Sequence, residues 1–298
     1  MSFSYSDFAA ALKAGAPISA EDVLAVRRWV WPDGCVSSDE AEALFELNRS
    51  ARESAAEWDA FFIEAMVDHV VNQVPPRGYV EDGHAAWLIA QIEKDGAPIT
   101  ATELALVVKI LETALNAPAA LKSWALGQIE RSASADGRVG EEEAALLRRI
   151  VFAAAGDGAL SVSADEAETL WRIKDSCLGG DNAPAWKTLF VQAVGNHLMA
   201  YSSYTPLERA EAARLNAFVA DDKSSVLGFF ARMGRTGPDA VRAALAKSPA
   251  EDRDAAIAAA EAVTPAERQW LQAHVDADGS LDDYEQALIA FIDAEKAR

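Results

Sequence analysis

The chain is poor in several features that mark common protein classes. Its 298 residues include only two cysteines, Cys35 and Cys177, which excludes a disulfide framework and leaves no Cys-x-x-Cys pair. Basic residues are scarce, since 27 lysines and arginines stand against 47 aspartates and glutamates, giving a net charge of −20. Such a surface disfavours nucleic acid and anionic membranes, which attract lysine and arginine, and it favours cations and basic partners.

Long apolar runs and enzyme motifs are also missing. No segment reaches the roughly 20 apolar residues of a membrane-spanning helix, and the start of the sequence lacks the pattern of a signal peptide. We therefore expect no membrane insertion and a cytoplasmic protein. There is no phosphate-binding loop, no Gly-x-Ser-x-Gly and no His-Glu-x-x-His. Cys35 lies in a turn, but no base is identifiable beside it, so we expect no enzymatic activity and no organic cofactor.

One short phrase occurs five times, each time between two predicted helices. It consists of Asp-Gly, a short spacer, a small apolar residue, a capping residue and a glutamate three positions later. Asp-Gly is typical of a turn, and the last two residues are typical of a capping box that begins a helix. The copies are Asp33-Gly34…Val36-Ser37…Glu40, Asp95-Gly96…Ile99-Thr100…Glu103, Asp136-Gly137…Val139-Gly140…Glu143, Asp157-Gly158…Val162-Ser163…Glu166 and Asp278-Gly279…Leu281-Asp282…Glu285.

Helical periodicity dominates the spaces between these phrases, and strand-like alternation is hard to find. The sequence therefore predicts an all-α protein, a tandem repeat of helical hairpins with Asp-Gly turns. Segments 38–45 and 58–70 resemble 164–171 and 186–198. We divide the chain into two related halves, 1–140 and 141–298, with extra material around 221–262. The boundary is soft, because the third phrase straddles it and no flexible linker marks it.

Apolar residues at helical spacing predict one buried face on each of the segments that begin at Trp58 and Trp186. His69 and His197 occupy equivalent positions beside these faces. The first has Glu64 and Asp68 nearby, which suits a metal, but the second has an amide at both positions. A core histidine that forms hydrogen bonds within the protein is the favoured interpretation of both.

The last phrase is the best candidate for a cation site. An EF-hand loop takes oxygen ligands at positions 1, 3, 5, 9 and 12, with glycine at position 6. The side chains predicted to bind calcium or another divalent cation are Asp276, Asp278, Asp282 and Glu285. Position 1 is His274, a nitrogen ligand where a hard cation prefers oxygen. The alternative is an acidic capped turn that suits the helix dipole, and we favour it here.

Two tryptophans are candidates for partner binding. Trp29 and Trp31 stand two positions apart and therefore point to different sides of a helix. An exposed tryptophan is a common anchor of protein interfaces, and stacked helical hairpins offer concave surfaces to proteins or peptides. The sequence thus predicts a protein partner without indicating its identity.

The acidic inter-helix turns resemble those of the tellurite-resistance protein B-like (TerB-like) family of small all-helical domains. The resemblance covers most of the chain as at least two divergent copies. It implies a role linked to metal-related stress, with acidic metal sites at positions equivalent to Asp33, Glu40, Asp157 and Glu166. EF-hand proteins are the competing resemblance, at residues 274–285.

These observations favour a non-enzymatic cytoplasmic protein that binds or scaffolds protein partners. The alternative is a divalent-cation-binding stress or sensor protein of TerB-like or EF-hand-like type.

Overall fold

The computed structural model describes residues 4–73, 77–153, 162–199, 265–275 and 281–296. Within these ranges the chain forms twelve α-helices and no β-strand, which confirms the all-α prediction. The helices are α1 (Tyr5–Lys13), α2 (Ala20–Val30), α3 (Ser38–Ser50), α4 (Ala56–Val67), α5 (Asp82–Ile92), α6 (Ala101–Thr113), α7 (Ala119–Asp136), α8 (Glu141–Val151), α9 (Ala164–Ser176), α10 (Pro184–Met199), α11 (Pro265–Val275) and α12 (Asp283–Lys296). A π-helical turn at Asp68–Asn72 follows α4, and a short 3-10 turn at Glu93–Asp95 follows α5.

Helices α3, α6 and α9 begin at capping boxes that the sequence predicts. Their capping residues are Ser37, Thr100 and Ser163, and each side-chain oxygen accepts a hydrogen bond from the N–H three residues later. The glutamate at that later position accepts one from the N–H of the capping residue. Each box satisfies two backbone donors that the first helical turn would otherwise leave unpaired.

The first three Asp-Gly pairs make the turns that precede α3, α6 and α8. Asp33 and Asp95 each accept a hydrogen bond from the N–H two residues later, at 3.1 and 2.9 Å. The glycines adopt left-handed φ angles of +84°, +67° and +65°, which a side chain would strain: Gly34, Gly96 and Gly137. The fourth and fifth Asp-Gly pairs lie outside the described residues.

Helices α4 and α10 take central positions in the two parts of the chain. Helix α4 packs against α2, α3 and α6, while α10 packs against α8, α9 and α12. At Gly195 of α10, an added Cβ would lie 2.6 Å from the ring of Phe291, so α12 comes very close there. The predicted faces are buried through Trp58, Phe61, Phe62, Ala65, Met66 and Val70, and through Trp186, Leu189, Phe190, Ala193, Val194 and Leu198.

Helix α7 links the two parts, because it packs against α5 and α6 on one side and against α8 and α9 on the other. The buried apolar side chains of the described helices form one continuous cluster. The boundary near residue 140 falls in the turn between α7 and α8, and the division into halves stays a prediction. No helix in the described part of the chain combines the length and apolar character that crossing a membrane requires.

Candidate functional site

A buried lysine meets three carboxylates where α9 approaches the start of α12. The Nζ atom of Lys174 lies 2.6 Å from Asp282 Oδ2 and 2.8 Å from Glu285 Oε1. It is also 2.8 Å from Asp175 Oδ1 and 4.8 Å from the centre of the Trp171 ring. The side chains of Lys174 and Glu285 are each only 1% exposed. We call the lysine and its three carboxylates the Lys174 centre.

Two of these carboxylates, Asp282 and Glu285, also cap α12. One oxygen of Asp282 accepts hydrogen bonds from the N–H groups of Tyr284 and Glu285, at 2.8 and 2.9 Å. Oε2 of Glu285 accepts one from the N–H of Asp282 at 3.0 Å. Each carboxylate therefore bonds the helix start through one oxygen and Lys174 through the other. A cation bound by Asp282 and Glu285 would have to displace the lysine.

Burial by itself disfavours the charged forms of Lys174 and Asp282, but their hydrogen bonds outweigh it. Burial lowers the pKa of Lys174, yet its bonds to Asp175, Asp282 and Glu285 leave that pKa above its ordinary range. Burial likewise raises the pKa of Asp282, while the bonds from Lys174 and two backbone N–H groups bring it below its ordinary value. Lys174 and Asp282 are therefore both charged at neutral pH.

The lowered pKa of Asp282 predicts a specific loss of stability in acid. A carboxyl whose pKa is lower in the folded chain stabilises the fold above its unfolded pKa, and this contribution disappears as pH falls through the folded pKa. Asp282→Asn keeps an oxygen that can cap the helix but removes the charge. We expect the free energy of unfolding of the wild type to fall more steeply than that of Asp282→Asn between about pH 5 and pH 2.

Urea unfolding followed by circular dichroism over this pH series measures the difference. Asp283→Asn is the matched control, because the neighbouring carboxyl is 67% exposed and pairs with Lys187 at the surface. This control should keep the pH dependence of the wild type. Parallel profiles for the wild type and Asp282→Asn would contradict the prediction.

The predicted cation loop is described only in part. Asp276 and Asp278 lie outside the described residues, and Asp282 and Glu285 bond Lys174, so the metal site stays a prediction. Among the residues that the structure describes, no group of three or more His, Cys, Asp or Glu side chains is placed to hold a metal ion.

The positions implied by the TerB-like resemblance have bonding partners of their own. Asp33 closes its turn and Glu40 caps α3 with a bond of 2.8 Å. Glu166 caps α9 and pairs with Lys122 Nζ at 2.5 Å. A lysine thus lies beside the closing glutamate of the fourth phrase, as it does at the fifth. Asp157 lies outside the described residues.

The two equivalent histidines form hydrogen bonds with backbone carbonyl oxygens in the turns of the repeated phrase. His69 Nδ1 lies 2.7 Å from the carbonyl oxygen of Val36, and His197 Nδ1 lies 2.9 Å from that of Val162. These valines are the small apolar residues of the first and fourth phrases. Both histidines thus form the intramolecular hydrogen bonds that the favoured interpretation requires. Their rings also contact tryptophans, with centroids 5.4 and 5.6 Å apart: Trp87 and Trp270.

Trp29 and Trp31 are both half-buried, and their contacts differ. Trp29 stacks on Tyr5 with ring centroids 5.4 Å apart. Trp31 packs edge-on against Phe61 at 5.8 Å, and the guanidinium of Arg27 lies 4.9 Å from its ring. Of the two tryptophans, Trp31 borders a depression of about 670 Å³. Their role in binding a partner stays a prediction.

Polar groups line much of the depression beside Trp31, and several of them already bond one another. Arg27 donates two hydrogen bonds to Glu64, at 2.9 and 2.8 Å. Asp68 accepts bonds from the amides of Asn72 and Gln73. These groups are therefore less available to a ligand.

A larger groove of about 780 Å³ lies between residues 92–101, α7 and α8, and we call it the α7 groove. Its apolar lining includes four side chains that pack on the core while remaining partly exposed: Ile99, Leu104, Trp124 and Leu146. The indole N–H of Trp124 donates to Glu93 Oε1 at 2.8 Å, which fixes the ring in the groove wall. The groove thus combines an apolar floor with an oriented tryptophan.

Lys174 and Trp124 are not among the predicted site residues. A signal exists for Lys174, because it follows Leu170 and Trp171 at helical spacing and therefore lies on the buried face of α9. Trp124 stands in an alanine-rich segment without a clear apolar stripe, so its sequence context gives no comparable signal.

Comparison with known proteins does not assign the chain to a family. The chain matches no protein-family model, no curated protein and no solved structure. The TerB-like resemblance consequently stays a prediction.

Proposed function

We propose that this chain is a non-enzymatic binding protein that holds a protein partner in the α7 groove. The observation that carries the proposal is the partly exposed apolar lining around Trp124. Covering apolar surface removes it from water and favours association. A tryptophan that is already oriented loses little conformational freedom when a partner packs on it, and tryptophans are frequent anchors of interfaces.

Several ionisable side chains are engaged in contacts within the fold. Asp282 and Glu285 bond Lys174 and cap α12. The thiol of Cys177 is buried and lies 3.4 Å from the carbonyl oxygen of Ala133. These contacts support a binding role over catalysis.

We also propose that the two parts of the chain are related copies that together form the scaffold. Two sets of contacts recur between them. The histidine-to-valine hydrogen bonds are one set. The other set consists of two arginine contacts: Arg27 of α2 bonds Glu64 of α4, and Arg148 of α8 bonds Gln192 of α10 at 2.9 Å. Recurrence at equivalent positions supports a duplication.

Site-specific photo-crosslinking in cells of the source organism tests the binding proposal. A photoreactive phenylalanine analogue at Gln128, which lines the α7 groove, should give a discrete adduct with a protein partner. Leu146→Glu should abolish this adduct, because a carboxylate on the apolar floor opposes burial. Thermal melting of the variant checks that the chain still folds.

The matched control carries the analogue at Ala135, an exposed position of the same helix outside the groove lining. It should give no discrete adduct. Equal adducts at both positions, or an adduct that survives Leu146→Glu, would contradict binding in the groove.

A further inference from the structure

The groove restricts the conformation of its occupant. The elements that line it are helices and the segment before α6, and the described part of the chain offers no strand edge there. An extended peptide would therefore leave its backbone N–H and C=O groups unpaired over an apolar floor. The indole N–H of Trp124 already donates to Glu93 and is not available to a ligand carbonyl. A helix, which pairs its own backbone groups, fits these conditions.

Charge restricts the occupant further. Two exposed carboxylates border the groove, Glu93 and Glu142, against one exposed base, Arg131. A third acid, Glu143, is only partly exposed and accepts a hydrogen bond from the N–H of Gly140 at 3.0 Å. The whole chain has a net charge of −20. Its long-range electrostatic field therefore attracts cationic partners and raises their association rate.

We propose that the occupant of the α7 groove is an amphipathic helix of a partner protein, with lysine or arginine on its polar face. Its apolar side chains pack on Ile99, Leu104 and Trp124, and its basic side chains face Glu93 and Glu142. This inference rests on the proposed function, because it names the chemistry of the partner that the groove binds.

Calorimetric titration of the full chain with three synthetic peptides tests this inference. The first carries leucine at positions i, i+3, i+4 and i+7 and lysine elsewhere, the second replaces each lysine with glutamate, and the third is a scramble of the first. The lysine peptide should bind at least about tenfold more tightly than either of the others.

Two matched charge reversals locate the site. Glu142→Lys should weaken binding of the lysine peptide by about tenfold. Glu141→Lys changes the net charge equally in the same helical turn, but Glu141 does not line the groove, and this variant should have a much smaller effect.

Other outcomes overturn the inference in recognisable ways. Equal binding of the scrambled peptide would show charge attraction alone, and equal binding of the glutamate peptide would remove the requirement for a basic helix. Equal effects of the two reversals would place the peptide elsewhere. Failure of all peptides to bind, with the Gln128 adduct intact, would reject the basic helix and leave the proposed function standing. Loss of that adduct would reject the proposed function itself.

Discussion

Replacing Lys174 with methionine is expected to lower the free energy of unfolding by about 3–5 kcal/mol, the usual effect of removing one partner from a buried ion pair. Methionine keeps the apolar length of the side chain but leaves Asp282 and Glu285 without their cation. Glu285 is 1% exposed, so water cannot replace the lost hydrogen bonds. Urea unfolding at neutral pH, followed by circular dichroism, measures the change.

Lys187→Met is the matched control. Lys187 pairs with Asp283 at 2.7 Å, one residue away from the Lys174 centre, but both side chains of this pair are substantially exposed. Exposed ion pairs contribute about 1 kcal/mol or less, so this variant should remain close to the wild type. If Lys174→Met and Lys187→Met lower the free energy of unfolding equally, the buried ion pairs of the Lys174 centre stabilise the fold no more than an exposed pair does.

The local structure of this chain follows closely from its sequence. Capping boxes and apolar periodicity depend on residues three or four positions apart, which helical geometry alone brings together. The starts of α3, α6 and α9 and the buried faces of α4 and α10 are accordingly where the sequence predicts them. The internal hydrogen bond of His69 also follows from its position beside a buried apolar face. The identity of its partner, Val36, does not follow, because 33 residues separate the two in the sequence.

Which side chains share a candidate site depends on which helices pack together. Sequence patterns over a few residues do not determine that packing. Lys174 is 108 residues from Asp282 in the sequence. Aligning 38–50 with 164–176 places Asn48 opposite Lys174. Asn48 accepts the indole N–H of Trp58 at 3.0 Å. A lysine has no acceptor to offer, and the equivalent N–H of Trp186 has no hydrogen-bond partner among the described residues. Under the proposed duplication, this single difference replaces a neutral contact with a charged one.

Trp171→Ala is the second change for which we expect a large effect, a loss of about 3–5 kcal/mol in the free energy of unfolding. The ring is buried on α9, with centroids 5.4 Å from Phe190 and 5.5 Å from Trp270. It also lies 4.8 Å from the Lys174 ammonium. The alanine variant loses contacts with α10, α11 and the Lys174 centre together. Because the surrounding rings are rigid, the cavity can collapse only partly.

Two comparisons make the test of Trp171 specific to packing at this position. Trp171→Phe should be less destabilising than the alanine variant, because the aligned residue Phe45 makes similar edge-on contacts with Phe62 and Trp87, at 5.1 and 5.7 Å. Leu24→Ala, at a side chain that is 54% exposed, should change stability by no more than about 0.5 kcal/mol. Urea unfolding of all three variants gives the order of their free energies of unfolding. If Trp171→Ala falls within the range of Leu24→Ala, α9 does not depend on this ring, and the close contacts among α9, α10 and α11 do not stabilise the fold.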